Sequence, residues 1–173
     1  PKPINSWCGD EKIQLEEIKT LPLTKEKVIC RRGVFELKED SFINLGIGLP
    51  MSVSNVLNEE GLIKKVSASI ESGVMGGVPA PGIATGAAYN PDAILKQPDM
   101  FDFYDGGGVD YAFLGLAQAD KDGNINVSKF GPRIAGCGGF VNITQNAKRC
   151  YFCGTFTAGG LKTSVKKGKL IIY

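Results

Sequence analysis

The spacing of apolar positions changes period several times along this chain, and each change marks an element. Residues 1–27 are polar and mixed, with Leu21-Pro22-Leu23 held extended by its proline, and read as a linker or peripheral segment. From Thr24, an N-cap residue, the spacing turns helical, and Val28, Ile29, Val34, Phe35 and Leu37 give a partly apolar face that Gly33 weakens. Phe42–Gly48 (FINLGIG) predicts a short strand running into a glycine turn. Pro50 then takes a helix's first position, with Val53, Val56 and Leu57 on one side. Val66–Ile70 alternates apolar and small residues as a second strand and stops at Glu71.

Further along, the pattern predicts a helix over Asp92–Gln97 stopped by Pro98. Strands follow at Tyr111–Ala117 and Ile125–Val127, joined as a hairpin through the turn residues Asp120–Asn124. Gly136-Cys137-Gly138-Gly139 opens an apolar helical start at Phe140, Val141 and Ile143, Arg149–Phe156 is rich in strand formers, and Lys162–Tyr173 is a hairpin around Lys166–Lys169. Strands interleaved with helices and short glycine loops predict an α/β domain with a mostly parallel sheet over residues 28–173.

Composition narrows the function. A content of 43% hydrophobic and 22% charged residues in 173 suits one globular domain with a sizeable core. A formal charge of +2 gives no footprint for nucleic acid or an anionic membrane, and no apolar run is long enough to span a bilayer; the expected location is cytoplasmic. Five cysteines, an odd number, suit free thiols better than a disulfide framework. Histidine is absent, which removes Ser-His-Asp and Cys-His catalysis and the commonest zinc ligand, so no metal site is expected.

The candidate motifs separate on chemistry. Neither a Walker phosphate loop nor a dinucleotide-type glycine fingerprint occurs. Cys150-Tyr-Phe-Cys153 matches C-x-x-C, but on a strand its two thiols point to opposite faces, so core packing is the reading. Glu71 differs from both: it is the one charged residue between Val66 and Asn90, at the end of an apolar run and followed by glycines, prolines and small residues in SIESGVMGGVPAPG. Such an acid is either satisfied by backbone N–H groups or an arginine, or held as a nucleophile for an acyl carbon. The second role needs oxyanion donors, which the turns at Asn44–Gly48 and Gly136–Phe140 could supply through unobstructed backbone N–H groups.

Taken in order, NLGIG-x-P, SIESG-x-x-GG, GGG-x-D-Y-x-x-LG, G-N-I-N-V and G-x-GGF resemble the second, beta-like half of a class I coenzyme A transferase, over about Val28 to Lys169. ESG and GGGVD look closer to the acetate and propionate branch than to the 3-oxoacid enzymes. The resemblance implies a three-layer α/β fold shared with some sugar-phosphate isomerases, with helices on both sheet faces. It implies that Glu71 attacks acyl-CoA to give a mixed anhydride and then a glutamyl-CoA thioester, in ping-pong fashion. It also implies that Ile47 and Gly139, with Gly138, supply the oxyanion and acyl site, that Asn126 matches an asparagine near the carboxylate across a loop one residue different, and that Gly46, Gly48 and Gly136 meet coenzyme A. Coenzyme A is then a substrate, with no tightly bound cofactor. The implied partners are acyl-CoA, a carboxylate, the first half of the enzyme in cis or trans, and further copies in a homo-oligomer. The chain is then a piece or a subunit, incomplete at its C-terminus and inactive without the other half. Two alternatives stay open on the residues: a non-catalytic acyl-CoA or sugar-phosphate binding module, and an acyl-CoA hydrolase.

Overall fold

The computed structural model describes residues 4–80, 84, 86–156, 160 and 162–173. In chain order these form helices α1 (Asn5–Cys8) and α2 (Lys25–Val34), strand β1 (Ser41–Leu45), helix α3 (Ser52–Glu59), and strands β2 (Val66–Ser69), β3 (Val74–Met75), β4 (Val78–Pro79), β5 (Ala88–Tyr89) and β6 (Ala93–Ile94). Helix α4 (Gln97–Asp105) and strand β7 (Tyr111–Gly115) follow, then the two-residue strands β8 (Gln118–Ala119), β9 (Ile125–Asn126), β10 (Lys129–Phe130) and β11 (Arg133–Ile134). Helix α5 (Phe140–Asn146), strand β12 (Arg149–Cys153) and the hairpin β13 (Thr163–Lys166) and β14 (Lys169–Ile172) follow, and short 3-10 turns lie at Leu15–Glu17, Leu49–Met51 and Ile63–Lys65.

Six strands form one sheet in the order β12-β7-β1-β2-β3-β6. The four from β12 to β2 are parallel, and β3 and β6 add an antiparallel margin. Register then assigns side chains to faces: Ile43 pairs with Ala68 and Tyr111, and Asn44 pairs with Ser69 and Ala112. Because successive side chains point to opposite faces, these two rows enter different layers. The first joins Cys30 and Val34 of α2 and Val53, Val56 and Leu57 of α3. On the other face Ala112 and Leu114 pack with Met100 and Tyr104 of α4 and Ile143 of α5. Helices therefore cover both faces, giving a three-layer α/β domain.

Local chemistry explains the boundaries. Thr24 caps α2, its Oγ1 accepting from the Lys27 N–H at 3.4 Å. Pro50 lies in a single 3-10 turn, Leu49–Met51, that leads into α3. Inside α2 the buried positions are Cys30 and Val34, four apart, whereas Val28 and Phe35 of the expected apolar face are exposed. The segment before α2 is tied to the rest by reciprocal bonds between the Asn90 amide and the Ile13 backbone, at 2.9 and 2.8 Å, and by Glu59, which accepts from the Leu21 N–H.

Two expectations change. Residues 92–97 are not a helix: Ala93–Ile94 pairs with Val74–Met75, and Pro98 sits in the first turn of α4, where its missing N–H removes no intrahelical bond. The Asp120 turn, in which Oδ1 accepts from the Asp122 and Asn124 N–H groups at 2.9 Å, closes a hairpin of β8 with β9. Strand β7 instead stays in the parallel sheet. Cys150 and Cys153 behave as the alternation predicts: Cys150 packs beside the α4 layer and Cys153 enters the α2 layer, with burial pushing the Cys153 thiol up to about 11.

Candidate active site

Strand β2 ends at Ser69 and the chain reverses at once. The Ile70 N–H donates to the Val74 carbonyl at 2.9 Å and the Gly73 N–H to the Ile70 carbonyl at 3.0 Å, with Glu71 inside that turn. Ile70 and Val74 are buried together with Met51 and Ala88, so apolar packing anchors the backbone on both sides of the half-buried Glu71. Pro81 and Gly82 of the SIESGVMGGVPAPG run lie outside the described residues.

The carboxylate faces the layer of α4 and α5. Gly139, at the start of α5, lies so close that a Cβ there would be 2.5 Å from Glu71 Oε2 and 2.5 Å from Phe101 Cζ. Its φ of −78° is open to any residue, so close approach, not backbone conformation, is what calls for glycine. Among the described residues no hydrogen bond or ion pair engages the Glu71 carboxylate. Beside it, Tyr104 is fully buried, and burial raises its phenol above the ordinary value; the nearby Glu71 charge adds to that rise, against the bonds from Ser69 and Asn44.

Under the turn runs a buried polar chain. Asn44 Nδ2 donates to Tyr104 Oη at 3.0 Å, Tyr104 Oη lies 2.9 Å from Ser69 Oγ, and Ser69 Oγ donates to the Ile43 carbonyl at 3.0 Å. Asn44 Oδ1 is buried without a partner among the described residues. The pattern reading missed Tyr104, Ser69 and Phe101. A signal was present in Asn44, the one polar residue in the run Phe42–Gly46; it is buried and paired in register with the buried Ser69, and buried polar groups require a partner.

The other sequence-predicted positions are distributed unevenly. Gly46 donates its N–H to the Phe113 carbonyl at 2.8 Å and lies against Phe113 and Leu114, just past the carboxyl end of the inner strand β1. Ile47 is 61% exposed, and Gly48 adopts φ 91° and ψ −131°, a conformation confined to glycine. Ile47 and Gly48 line a cavity of about 750 Å³ with Met51, Ser52, Asn55 and Tyr89, and Glu71 is not in its lining. Gly136 and Gly138 are exposed with open space around them and positive φ. Asn126 is spent on its own turn: its Nδ2 donates to Gln118 Oε1 and the Lys129 carbonyl, and its Oδ1 accepts from the Ser128 and Lys129 N–H groups. The structure thus brings Gly139 to Glu71, while the hydrogen bonds of the Asn126 side chain stay within its own hairpin. Among the described residues no group of three ligating side chains could hold a metal, and no helix is long and apolar enough to cross a membrane.

The chain is 44% identical over 172 residues to a caffeate CoA-transferase of Acetobacterium woodii, and 40% identical over 171 residues to the acetate CoA-transferase YdiF of Escherichia coli. Nearly the whole of this chain is thus homologous to coenzyme A transferases. The alignments take in 96% and 98% of it but 33% and 32% of those relatives, so it spans about a third of their length. It superposes on the crystal structure of the YdiF apoenzyme from E. coli O157:H7 with a TM-score of 0.78, 38% identity and coverage of 99% of this chain and 31% of that one. A second YdiF structure, a thioester complex with CoA, superposes with a TM-score of 0.71 over 90% of this chain and 29% of that one. No family model matches the chain.

Proposed function

We propose that this chain carries the catalytic glutamate of an enzyme that transfers coenzyme A between short-chain acyl-CoA and a carboxylate such as acetate. The observation that carries the reading is the Glu71 carboxylate held at a tight turn against Gly139, with no competing cation among its described neighbours. A carboxylate oxygen of Glu71 attacks the thioester carbon, the C–S bond breaks, and coenzyme A leaves as thiolate with the bonding pair. The thiolate then attacks the glutamyl carbonyl of the anhydride, releasing the first acid as carboxylate and leaving a glutamyl-CoA thioester. An incoming carboxylate repeats the two steps in reverse. Both nucleophiles and both leaving groups are anions, so no proton is moved, and the cycle asks for no histidine from this chain, which has none.

In this reading backbone N–H groups at Ile47, Gly138 and Gly139 receive the oxyanions, each worth about 2.7 to 4 kcal/mol to the transition state. Gly46, Gly48 and Gly136 leave room for coenzyme A, and Asn126 borders the acyl site from its own turn. The remainder of the enzyme, in cis or in trans, completes the coenzyme A cleft; it works as a cytoplasmic homo-oligomer, with coenzyme A as substrate and no resident cofactor. YdiF, similar in sequence and captured as a thioester with CoA, supports the covalent route.

The test uses the complete protein in exchange of labelled acetate into acetyl-CoA, with and without Glu71→Gln. Exchange in the wild type that vanishes in the variant is expected. A variant that still exchanges at the wild-type rate, or a wild type that without an acceptor keeps turning acetyl-CoA over to free acetate well beyond one equivalent per site, rejects transfer through Glu71.

A further inference from the structure

The most connected group near Glu71 is one to which no role in the chemistry has been given. Tyr104 is fully buried, and its hydroxyl joins the ends of two neighbouring parallel strands: Asn44, the penultimate residue of β1, and Ser69, the last residue of β2. These two residues are register partners and face the same layer. Three residues beyond Asn44 stands Ile47, and two beyond Ser69 stands Glu71. The same helix reaches the third loop twice. Phe101, one turn earlier, makes an edge contact with Tyr104 at 5.7 Å and backs Gly139, while Asp105 accepts from Asn142 and Asn146 of α5 at 3.1 to 3.3 Å. The alternative, a phenol that fills core space only, leaves unexplained why two inward strand positions carry polar side chains that meet on its hydroxyl.

We propose that Tyr104 is a positioning residue, whose hydroxyl locks the ends of β1 and β2 so that the Ile47 turn and the Glu71 turn keep one fixed separation during acyl transfer. The inference rests on Glu71 being the nucleophile. The hydroxyl holds the backbone from which Glu71 and Ile47 project, and Phe101 keeps Gly139 against the carboxylate from the same helix. A 1 Å displacement of a reacting group costs about 10²-fold in rate, so slack at these strand ends falls on the chemical step and not on the binding of coenzyme A.

The experiment compares the complete wild-type protein with Tyr104→Phe, Ser69→Ala and the double variant, each scaled to its folded fraction by circular dichroism. It reads kcat, KM for acyl-CoA and the single-turnover rate of covalent CoA attachment. Tyr104→Phe keeps the ring, so the fold is expected to persist. Its kcat and attachment rate are expected to fall about 10- to 100-fold with KM within about twofold of wild type. Ser69→Ala moves in the same direction, and the double variant is expected to be no slower than the slower single one, because both cut the same chain. A Tyr104→Phe protein with wild-type kcat, or single losses that multiply in the double variant, overturns the proposal. A wild type without covalent CoA on Glu71 overturns both the nucleophile and the proposal, and is distinguished because it shows in the unmutated protein.

Discussion

Asp110 and Glu71 are carboxylates at opposite ends of the same parallel strands, and their surroundings differ in kind. At the N-terminal end Asp110 accepts from the Phe42 N–H at 2.8 Å and from Lys148 Nζ at 2.6 Å. Around it, the Asp110 N–H donates to the Phe42 carbonyl and the Arg149 N–H to the Asp110 carbonyl, so one residue ties together the starts of β1, β7 and β12. The Lys148 bond, followed by the Phe42 N–H, holds its carboxyl below the ordinary range. At the C-terminal end Glu71 has glycine, an aromatic edge and a buried phenol for neighbours. A satisfied carboxylate fixes strands; one without strong partners keeps its lone pairs for an incoming carbonyl. Ligands of open α/β sheets gather at the carboxyl ends of the strands, and only Glu71 is there.

The contrast is broken most forcefully at the Glu71 end. Glu71→Gln is expected to lower transfer by about 10⁴-fold or more while stability stays within about 0.5 kcal/mol, read by exchange kinetics and urea melts. Gly139→Ala comes next: its backbone tolerates alanine, but the methyl collides with Glu71 Oε2 and Phe101, so kcat is expected to fall about 10²-fold.

Asp110→Ala is expected to show the reverse signature, a stability loss of about 1 to 2 kcal/mol with an unchanged rate per folded molecule, because it leaves the Phe42 N–H without its side-chain acceptor. The sign of the pH effect follows from the depressed folded-state pKa. The stabilisation is complete above the ordinary carboxylate value near about 4 and is lost as pH falls through the lower folded value, so wild type and Asp110→Asn are expected to converge in acid. The smallest effect is in thiol labelling. Exposed Cys8 and Cys137 are expected to react in the native protein at about pH 8, whereas Cys30, pushed up to about 12, and Cys153, to about 11, stay silent until unfolding.

The two ends were also unequally legible in the sequence. Glu71 was visible because nothing charged lies near it in the chain, and the strands before it because small and apolar residues alternate. The neighbourhood of Gly139 was legible as a loop without obstruction, but its contact with Glu71 depends on α4 and α5 meeting across the sheet edge, which local spacing does not encode. Pro98 was read as a stop when it is a start, since proline fits the first turn of a helix as well as the residue beyond one. The Tyr111–Ala117 hairpin failed for a related reason: the Asp-Gly turn was real, but its partner strand was the short Gln118–Ala119, and β7 was claimed by the parallel sheet. Asn126 was placed by motif order, and its amide is consumed by its own turn.

The most direct measurement is the mass of the tryptic segment from Val66 to Lys96 after the complete protein has been mixed with acetyl-CoA and quenched in acid, with fragmentation to locate the modified residue. The account predicts coenzyme A joined to Glu71 by a thioester, removed when acetate is added before the quench. An active preparation in which that segment stays unmodified, or carries coenzyme A on another residue, contradicts it.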